Sequence, residues 1–257
     1  MTRKKLIALF IALPPAASLV SLLIHPSILT SIFIFLVPQA LILSYLNRSL
    51  ITKSILFALT SIPVLLIIDF ISHSLGQWIV PSTSFPIKLL GNVPIEDSIW
   101  VFILTYITIM FYEYFLDKHK TKKPYGKKFF TLAGFFTLAP IIYYLLGSLF
   151  PELYQIKYFY LTWGTVGIFI PTALFLSKFP KVTFKFVCTG LYFFWLALNY
   201  ELTALFLGWW YFPKGSEFIG WVSISGLNFP LEEFIFWLVL CAMGTLSWFE
   251  YFDDDCK

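Results

Sequence analysis

The feature that most constrains this chain is a succession of unbroken apolar runs, each close to the roughly 20 residues that carry a helix across a bilayer. Eight can be drawn: Leu6–Ile24, Ile28–Leu46, Ser54–Leu75, Pro94–Phe115, Phe129–Phe150, Tyr158–Ser177, Phe184–Gly208 and Pro230–Phe252. A β-barrel would need short segments alternating with period two, and these runs do not alternate. With 59% hydrophobic and 12% charged residues and a mean hydropathy of +0.82, the chain has too little charge to solvate a globular surface. The expected fold is all-α, a polytopic transmembrane helical bundle of about eight helices. Interior prolines such as Pro38, Pro63, Pro140 and Pro171 fit a bundle, where neighbouring groups satisfy the freed carbonyls. The first run, with Arg3, Lys4 and Lys5 ahead of it and Pro14-Pro15 and Ala16-Ala17 behind, also resembles a signal peptide.

The basic residues sort unevenly across these eight spans. Fifteen fall on one side: Arg3, Lys4, Lys5, Arg48, Lys53, Lys118, Lys120, Lys122, Lys123, Lys127, Lys128, Lys178, Lys181, Lys185 and Lys257. Only Lys88, Lys157 and Lys214 fall on the other. By the positive-inside rule both termini are expected in the cytoplasm, with the protein integral to the cytoplasmic membrane. The basic linker DKHKTKKPYGKK at mid-chain then reads as an inside loop held by anionic lipid, with membrane lipids and not nucleic acid as its partner. Cys188, Cys241 and Cys256 are widely spaced and lack a CxxC, and His25, His73 and His119 are isolated. Neither a disulfide framework nor a metal site is expected from them. No GxGxxG or GxxxxGK[ST] is present, so no nucleotide cofactor is implied.

The two halves of the chain repeat. A shift of about 132 residues superposes Asp69 on Glu201, Trp78 on Trp210 and Pro81 on Pro213. A four-residue insertion then carries Pro94 to Pro230, Glu96 to Glu232 and Asp97 to Glu233. FLVPQALIL at Phe35–Leu43 matches IFIPTALFL at Ile168–Leu176, and FYEYF at Phe111–Phe115 resembles WFEYF at Trp248–Phe252. The organisation is therefore read as a first four-helix repeat over 1–118, a linker over 119–128 and a second four-helix repeat over 129–257. The repeat also favours keeping the first run as a helix, the counterpart of Phe129–Phe150. An even number of spans per half makes the repeats parallel, related by an axis along the membrane normal.

NVPIEDS at Asn92–Ser98 and NFPLEEF at Asn228–Phe234 place acidic pairs at the mouths of lipid-buried helices, where ionisable groups are costly and by default functional. Glu96, Asp97, Glu232 and Glu233 open the fourth and eighth helices, while Asp69 and Glu201 lie inside the third and seventh, all toward the same membrane level. A carboxyl held in apolar surroundings tends to keep its proton and so can serve as an acid. Neighbours on a helix are about 100° apart, so one member of each pair is expected to face inward while the other caps the helix or pairs across the repeat interface. Glu113 and Glu250, at the opposite helix ends, could simply reach water. Trp78 and Trp210 stand beside the carboxylate level, where ring faces could stabilise a carbocation without trapping it.

The P-x-E-[ED] opening of a transmembrane helix, the preceding acidic-x-x-x-x-x-x-G-x-W pattern and the tandem arrangement resemble the lycopene cyclase domain family, in its fused form. The resemblance covers most of Ile28–Asp117 and Tyr158–Asp255, with PLEEF the more specific match and PIEDS the weaker. It implies an isomerase of carotenoid biosynthesis that cyclises the linear ends of lycopene, a lipophilic substrate, to β-ionone rings without redox change and without a cofactor. An acid protonates the terminal double bond, the next double bond closes the ring, and a base removes a proton. Carried over, Glu232 or Glu233 is the acid and Glu96 or Asp97 the second essential carboxylate or base, with Asp69 and Glu201 as further catalytic candidates and Trp78 and Trp210 at the substrate. Two other classes fit parts of the pattern: a proton-coupled transporter, from parallel repeats with intramembrane acids, and a pigment-binding protein without chemistry. No oligomeric state is implied.

Overall fold

The computed structural model describes residues 2–117, 126–213, 215 and 217–252. Lys118, Lys214, Lys257, His119, Cys256 and most of the linker read at 119–128 lie outside the described residues. The described chain is an all-α bundle of eight helices, each long and apolar enough to cross a membrane. They are α1 Arg3–Ile24, α2 Ile28–Leu46, α3 Arg48–Ser74, α4 Ile95–Asp117, α5 Lys128–Leu149, α6 Phe159–Lys178, α7 Pro180–Leu207 and α8 Glu233–Phe252. Pro14, Pro15, Pro38, Pro63 and Pro140 all sit inside helices. The outer faces carry the apolar side chains that a bilayer would cover, among them Leu19, Leu23, Leu41, Phe130, Leu138 and Leu174.

Helix packing follows the repeat. α1, the first helix of the first half, packs on α7, the third helix of the second half, and α5 packs in the same way on α3. Phe10 of α1 is buried against Phe111 and Tyr192. Trp195 Nε1 donates to the Ile11 carbonyl at 2.9 Å and the Ser18 hydroxyl to the Asn199 carbonyl at 3.4 Å. The first apolar run is thus an integral part of the bundle. At one end, Ile79 and Tyr211, equivalent under the 132-residue shift, pair with each other: each amide donates to the other's carbonyl, at 3.0 and 3.1 Å. Two equivalent positions can pair reciprocally only where the axis relating the halves passes between them.

The same end carries two hairpins, β1 (Lys88–Leu89) with β2 (Val93–Pro94) and β3 (Trp221–Ile224) with β4 (Leu227–Pro230). Most of the four-residue insertion between the halves goes into the longer second hairpin, whose two-residue turn, Ser225-Gly226, has both φ angles positive at 52° and 82°. Each second strand ends on the motif proline, and the chain passes from strand into helix within two residues. That abrupt entry sets the rotation of α4 and α8, and hence where each carboxylate points.

One difference between the halves is a change of helix type. The offset is 136 residues from Glu96 to Glu232 but 137 from Glu113 to Glu250, so one extra residue lies within the second helix. The first eight residues of α8, Glu233–Leu240, are π-helical, the form that absorbs a single inserted residue. With that residue placed among Phe234–Phe236, Trp100 of α4 becomes the counterpart of Trp237 of α8, and these rings meet at 6.5 Å. α6 is also π-helical over Gly164–Phe169. Gly164 lets α6 approach α8, since a Cβ there would lie 2.2 Å from the Phe236 ring.

Glu113 and Glu250 differ from expectation. Both are buried, at 0% and 2% exposure, near the end of the bundle that holds the N-terminus. Helix ends reach water only if their faces do, and the faces of α4 and α8 that carry Glu113 and Glu250 are turned inward with Ile109, Met110 and Tyr112 and with Leu246, Ser247 and Phe249, all buried. Lys53 is buried there too, with Nζ 5.2 Å from the centroid of the Phe249 ring. Lys185, its counterpart under the repeat, bonds Asp117.

Candidate active site

The third and seventh helices bring Asp69 and Glu201 to within two turns of the hairpin end, and the strand-to-helix turns bring the acidic pairs to the same level. Four of the six candidate carboxylates, Asp69, Asp97, Glu201 and Glu233, line a single cavity between the two halves. Trp78 and Trp210 line it as well, with Trp100, Trp237, Tyr160 and Tyr200. The remainder of the wall is Phe212 and aliphatic residues such as Ile32, Leu36, Leu65 and Leu196, and among the described residues no lysine or arginine contributes to it. The cavity therefore follows the pseudo-symmetry: Asp69 with Glu201, Asp97 with Glu233, Trp78 with Trp210, Trp100 with Trp237.

The neighbours in each acidic pair do different things. Glu96 Oε1 accepts hydrogen bonds from the backbone amides of Ser84 at 2.5 Å and Phe85 at 3.2 Å. Glu232 Oε1 accepts from the Ile219 amide at 2.6 Å. Both carboxylates are fully buried, and both tie the loop ahead of the hairpin to the start of the helix. One residue on, about 100° around the helix, Asp97 and Glu233 turn into the cavity. The structure thus brings Asp97 and Glu233 together with Asp69 and Glu201 and sets Glu96 and Glu232 apart, behind the cavity wall.

Within the cavity, Asp69 lies within electrostatic range of Asp97 and Glu233, and Glu233 lies within range of Glu201 and meets the Tyr160 hydroxyl. Trp210 Nε1 donates to Glu201 Oε1 at 3.2 Å, and Trp210 stands edge-on to Tyr200, ring centroids 5.4 Å apart. Tyr200 is held by its hydroxyl against Ser31 Oγ at 3.0 Å. Trp78 and Trp210 meet edge to face at 6.4 Å on the axis, placed there by the Ile79–Tyr211 pairing next to them. Asp69 Oδ2, Asp97 Oδ2 and Glu233 Oε2 are buried without a hydrogen-bond partner, as is Trp78 Nε1, the counterpart of the bonded Trp210 nitrogen.

Sequence reasoning passed over several of these residues. His73 Nε2 lies 3.6 Å from Asp97 Oδ2, with its ring stacked on Trp78 at 4.9 Å and 22°. One helical turn after Asp69, the spacing was a usable signal, but the repeat hid it because Leu205 stands at the equivalent place. Trp100, three residues beyond Asp97, could have been found from the same helix periodicity, whereas Tyr200, adjacent to Glu201 and about 100° round the helix from it, could not. Among the described residues no three His, Cys, Asp or Glu side chains are grouped as metal ligands. What the cavity offers chemically is exchangeable protons held against an apolar space, beside aromatic faces that attract a cation without bonding to it.

Fold and site together define a membrane-integral helical protein with an acid-lined, aromatic-walled apolar chamber between two tandem repeats. Compared with known proteins, the chain matches no family model, no curated protein and no solved structure.

Proposed function

We propose that the chain is a membrane-integral lycopene cyclase, converting linear end groups of lycopene into β-ionone rings by acid catalysis. One observation carries the reading: Asp69, Asp97, Glu201 and Glu233 surround one apolar cavity whose walls include four tryptophans and, among the described residues, no lysine or arginine. The substrate is a hydrocarbon, so a site for it needs no polar recognition, only a proton donor, a proton acceptor and walls that tolerate a cation. In this reading Glu233 protonates the terminal double bond of the end group. The π electrons of the next double bond then close the six-membered ring and move the positive charge onto it. Trp78 and Trp210 present ring faces to that charge. The Asp97–His73 pair takes the proton lost from the ring carbon, and a new double bond forms. One proton enters and one leaves, so the product is an isomer of the substrate and no redox partner is required. The protein sits in the cytoplasmic membrane with both termini inside, as the excess of Lys and Arg at the end of the bundle opposite the hairpins favours.

Purified protein given lycopene in detergent tests the reading by chromatography of the extracted pigment. A cyclic product supports it. Lycopene bound but recovered unchanged would make the chain a pigment-binding protein, and absence of both binding and product would leave proton-coupled transport as the reading of the same carboxylates.

A further inference from the structure

The carboxylate chamber does not end at the tryptophans. Leu65, Trp100, Leu104 and Trp237 form part of its wall and also part of the wall of a second cleft, which runs toward the opposite end of the bundle between α3, α4, α6 and α8. From Glu233 to Trp248, the farthest residue of α8 on this path, is fifteen residues, or about 22 Å at a helical rise of 1.5 Å per residue. The cleft is apolar and lined at critical points by small side chains: Thr60, Ser61, Gly167, Gly244.

The pseudo-symmetry predicts a twin of this cleft on the other side of the axis; there the path from the chamber is filled, and a separate cavity beyond it, lined by Phe10, Phe111 and Tyr192 among others, shares no wall with the chamber. Tyr192 and Phe193 stand where the cleft has Thr60 and Ser61, and Ile107 stands where it has Gly244. Phe35 replaces Ile168. Tyr192 stacks on Phe111 at 4.3 Å and 6°, Phe193 meets Phe111 edge-on at 5.7 Å, and the Tyr192 hydroxyl is anchored on Gln39 Oε1 at 2.5 Å. Two halves that agree in carboxylates and tryptophans thus disagree in side-chain volume at one face of α3 and α7.

We propose that the open cleft holds the unreacted arm of the linear polyene whose end group lies in the chamber, and that Thr60, Ser61 and Gly244 set the length of arm admitted. This rests on the reading of the chamber as a polyene end-group site. The open cleft shares walls with the chamber and the cavity beside Tyr192 shares none, so the polyene enters in one direction, each binding event presents one end, and a second end reacts only after release and rebinding. The Trp100–Trp237 pair, at the junction, is the collar through which the polyene passes.

The test imports the twin's residues into the cleft, as Thr60→Tyr and Ser61→Phe made singly, with Gly244→Ala as a smaller intrusion against Ile168 Cγ2, 2.9 Å from the new Cβ. Thr60→Val and Ser61→Ala, which leave the cleft open, are the controls. Variants eluting as single species in detergent are compared in two ways: binding of lycopene, followed by its absorption, and turnover of a short acyclic isoprenoid bearing the same end group. Each methylene removed from an apolar site weakens binding by about fourfold, so excluding a few carbons lowers lycopene binding by on the order of 100-fold. Turnover of the short molecule stays within about threefold, since its contacts lie in the chamber. Undiminished lycopene binding in the plugged variants overturns the proposal and makes the cleft a slot for bilayer lipid. Loss of turnover of the short molecule along with lycopene binding overturns the division into chamber and arm cleft. Cleft-dependent binding without any ring formation would keep the cleft and remove the cyclase reading, whereas lycopene cyclisation indifferent to the plugs would do the reverse.

Discussion

Replacing Glu232 and Glu233 one at a time by Gln should separate two properties that their adjacency in sequence conceals. Glu232 is fully buried, and its Oε1 accepts the Ile219 amide proton at 2.6 Å. Gln keeps an acceptor oxygen there, so the bond to the Ile219 amide survives and the loss of stability should be no more than about 1 kcal/mol, which in a chain of this size lowers the melting temperature by about 2–4 °C. Glu232→Gln should therefore melt slightly earlier and still form rings at a rate within a few-fold of the parent. Glu233 lines the cavity, its Oε2 buried without a partner, and its carboxyl meets the Tyr160 hydroxyl, a contact that Gln can keep. Glu233→Gln removes the proposed proton donor, and general acids of this kind contribute about 10²- to 10⁴-fold, so ring formation should fall by that factor with little change in melting. The two quantities are read by chromatography of pigment from lycopene-fed protein and by thermal unfolding in detergent. The converse result, with Glu232→Gln inactive but as stable as the parent and Glu233→Gln active, would refute the assignment of faces.

Three further outcomes follow from particular contacts. Tyr192→Phe removes the hydroxyl that bonds Gln39 in the filled half, and should cost about 1–3 kcal/mol in unfolding measurements by leaving the Gln39 oxygen unpaired, while ring formation is unchanged. His73→Leu, which imports the side chain of the second half, should lower turnover by about 10²-fold through loss of the proton acceptor beside Asp97, with helicity by circular dichroism unaltered. Deleting Ile235 should restore α-helical spacing to the start of α8 and rotate Glu233 against the rest of the helix by about 100°, abolishing ring formation while the protein still inserts in membranes.

The eight spans were legible because the length of an apolar run is set by the bilayer and not by tertiary detail. The repeat was legible for a related reason: Trp78 and Trp210, or the two P-x-acidic-acidic motifs, are recognisable without knowing their contacts. What the sequence did not reveal was rotation. Whether Glu232 or Glu233 faces inward depends on how the β4 strand delivers Pro230 into the helix, a matter of backbone direction that a pair of identical residues cannot encode. Glu113 and Glu250 were read as water-facing from their place at helix ends, but the central packing of α4 and α8 decides their burial. The π-helical stretch of α8 was present as the one-residue change of offset between the PLEEF and WFEYF matches, and needed only the two offsets to be compared. His73 was hidden by the same repeat that exposed its neighbours, since a residue present in one half alone gives no repeated signal.

The measurement that bears most directly on the central claim is cyclisation of lycopene by the purified protein in deuterated water, with the product analysed by mass. Proton-initiated closure predicts a cyclic product carrying one solvent-derived deuterium for each ring formed, and product from Glu233→Gln lowered by about 10²- to 10⁴-fold. A cyclic product without deuterium, or an unchanged pigment recovered from folded protein, would contradict the account.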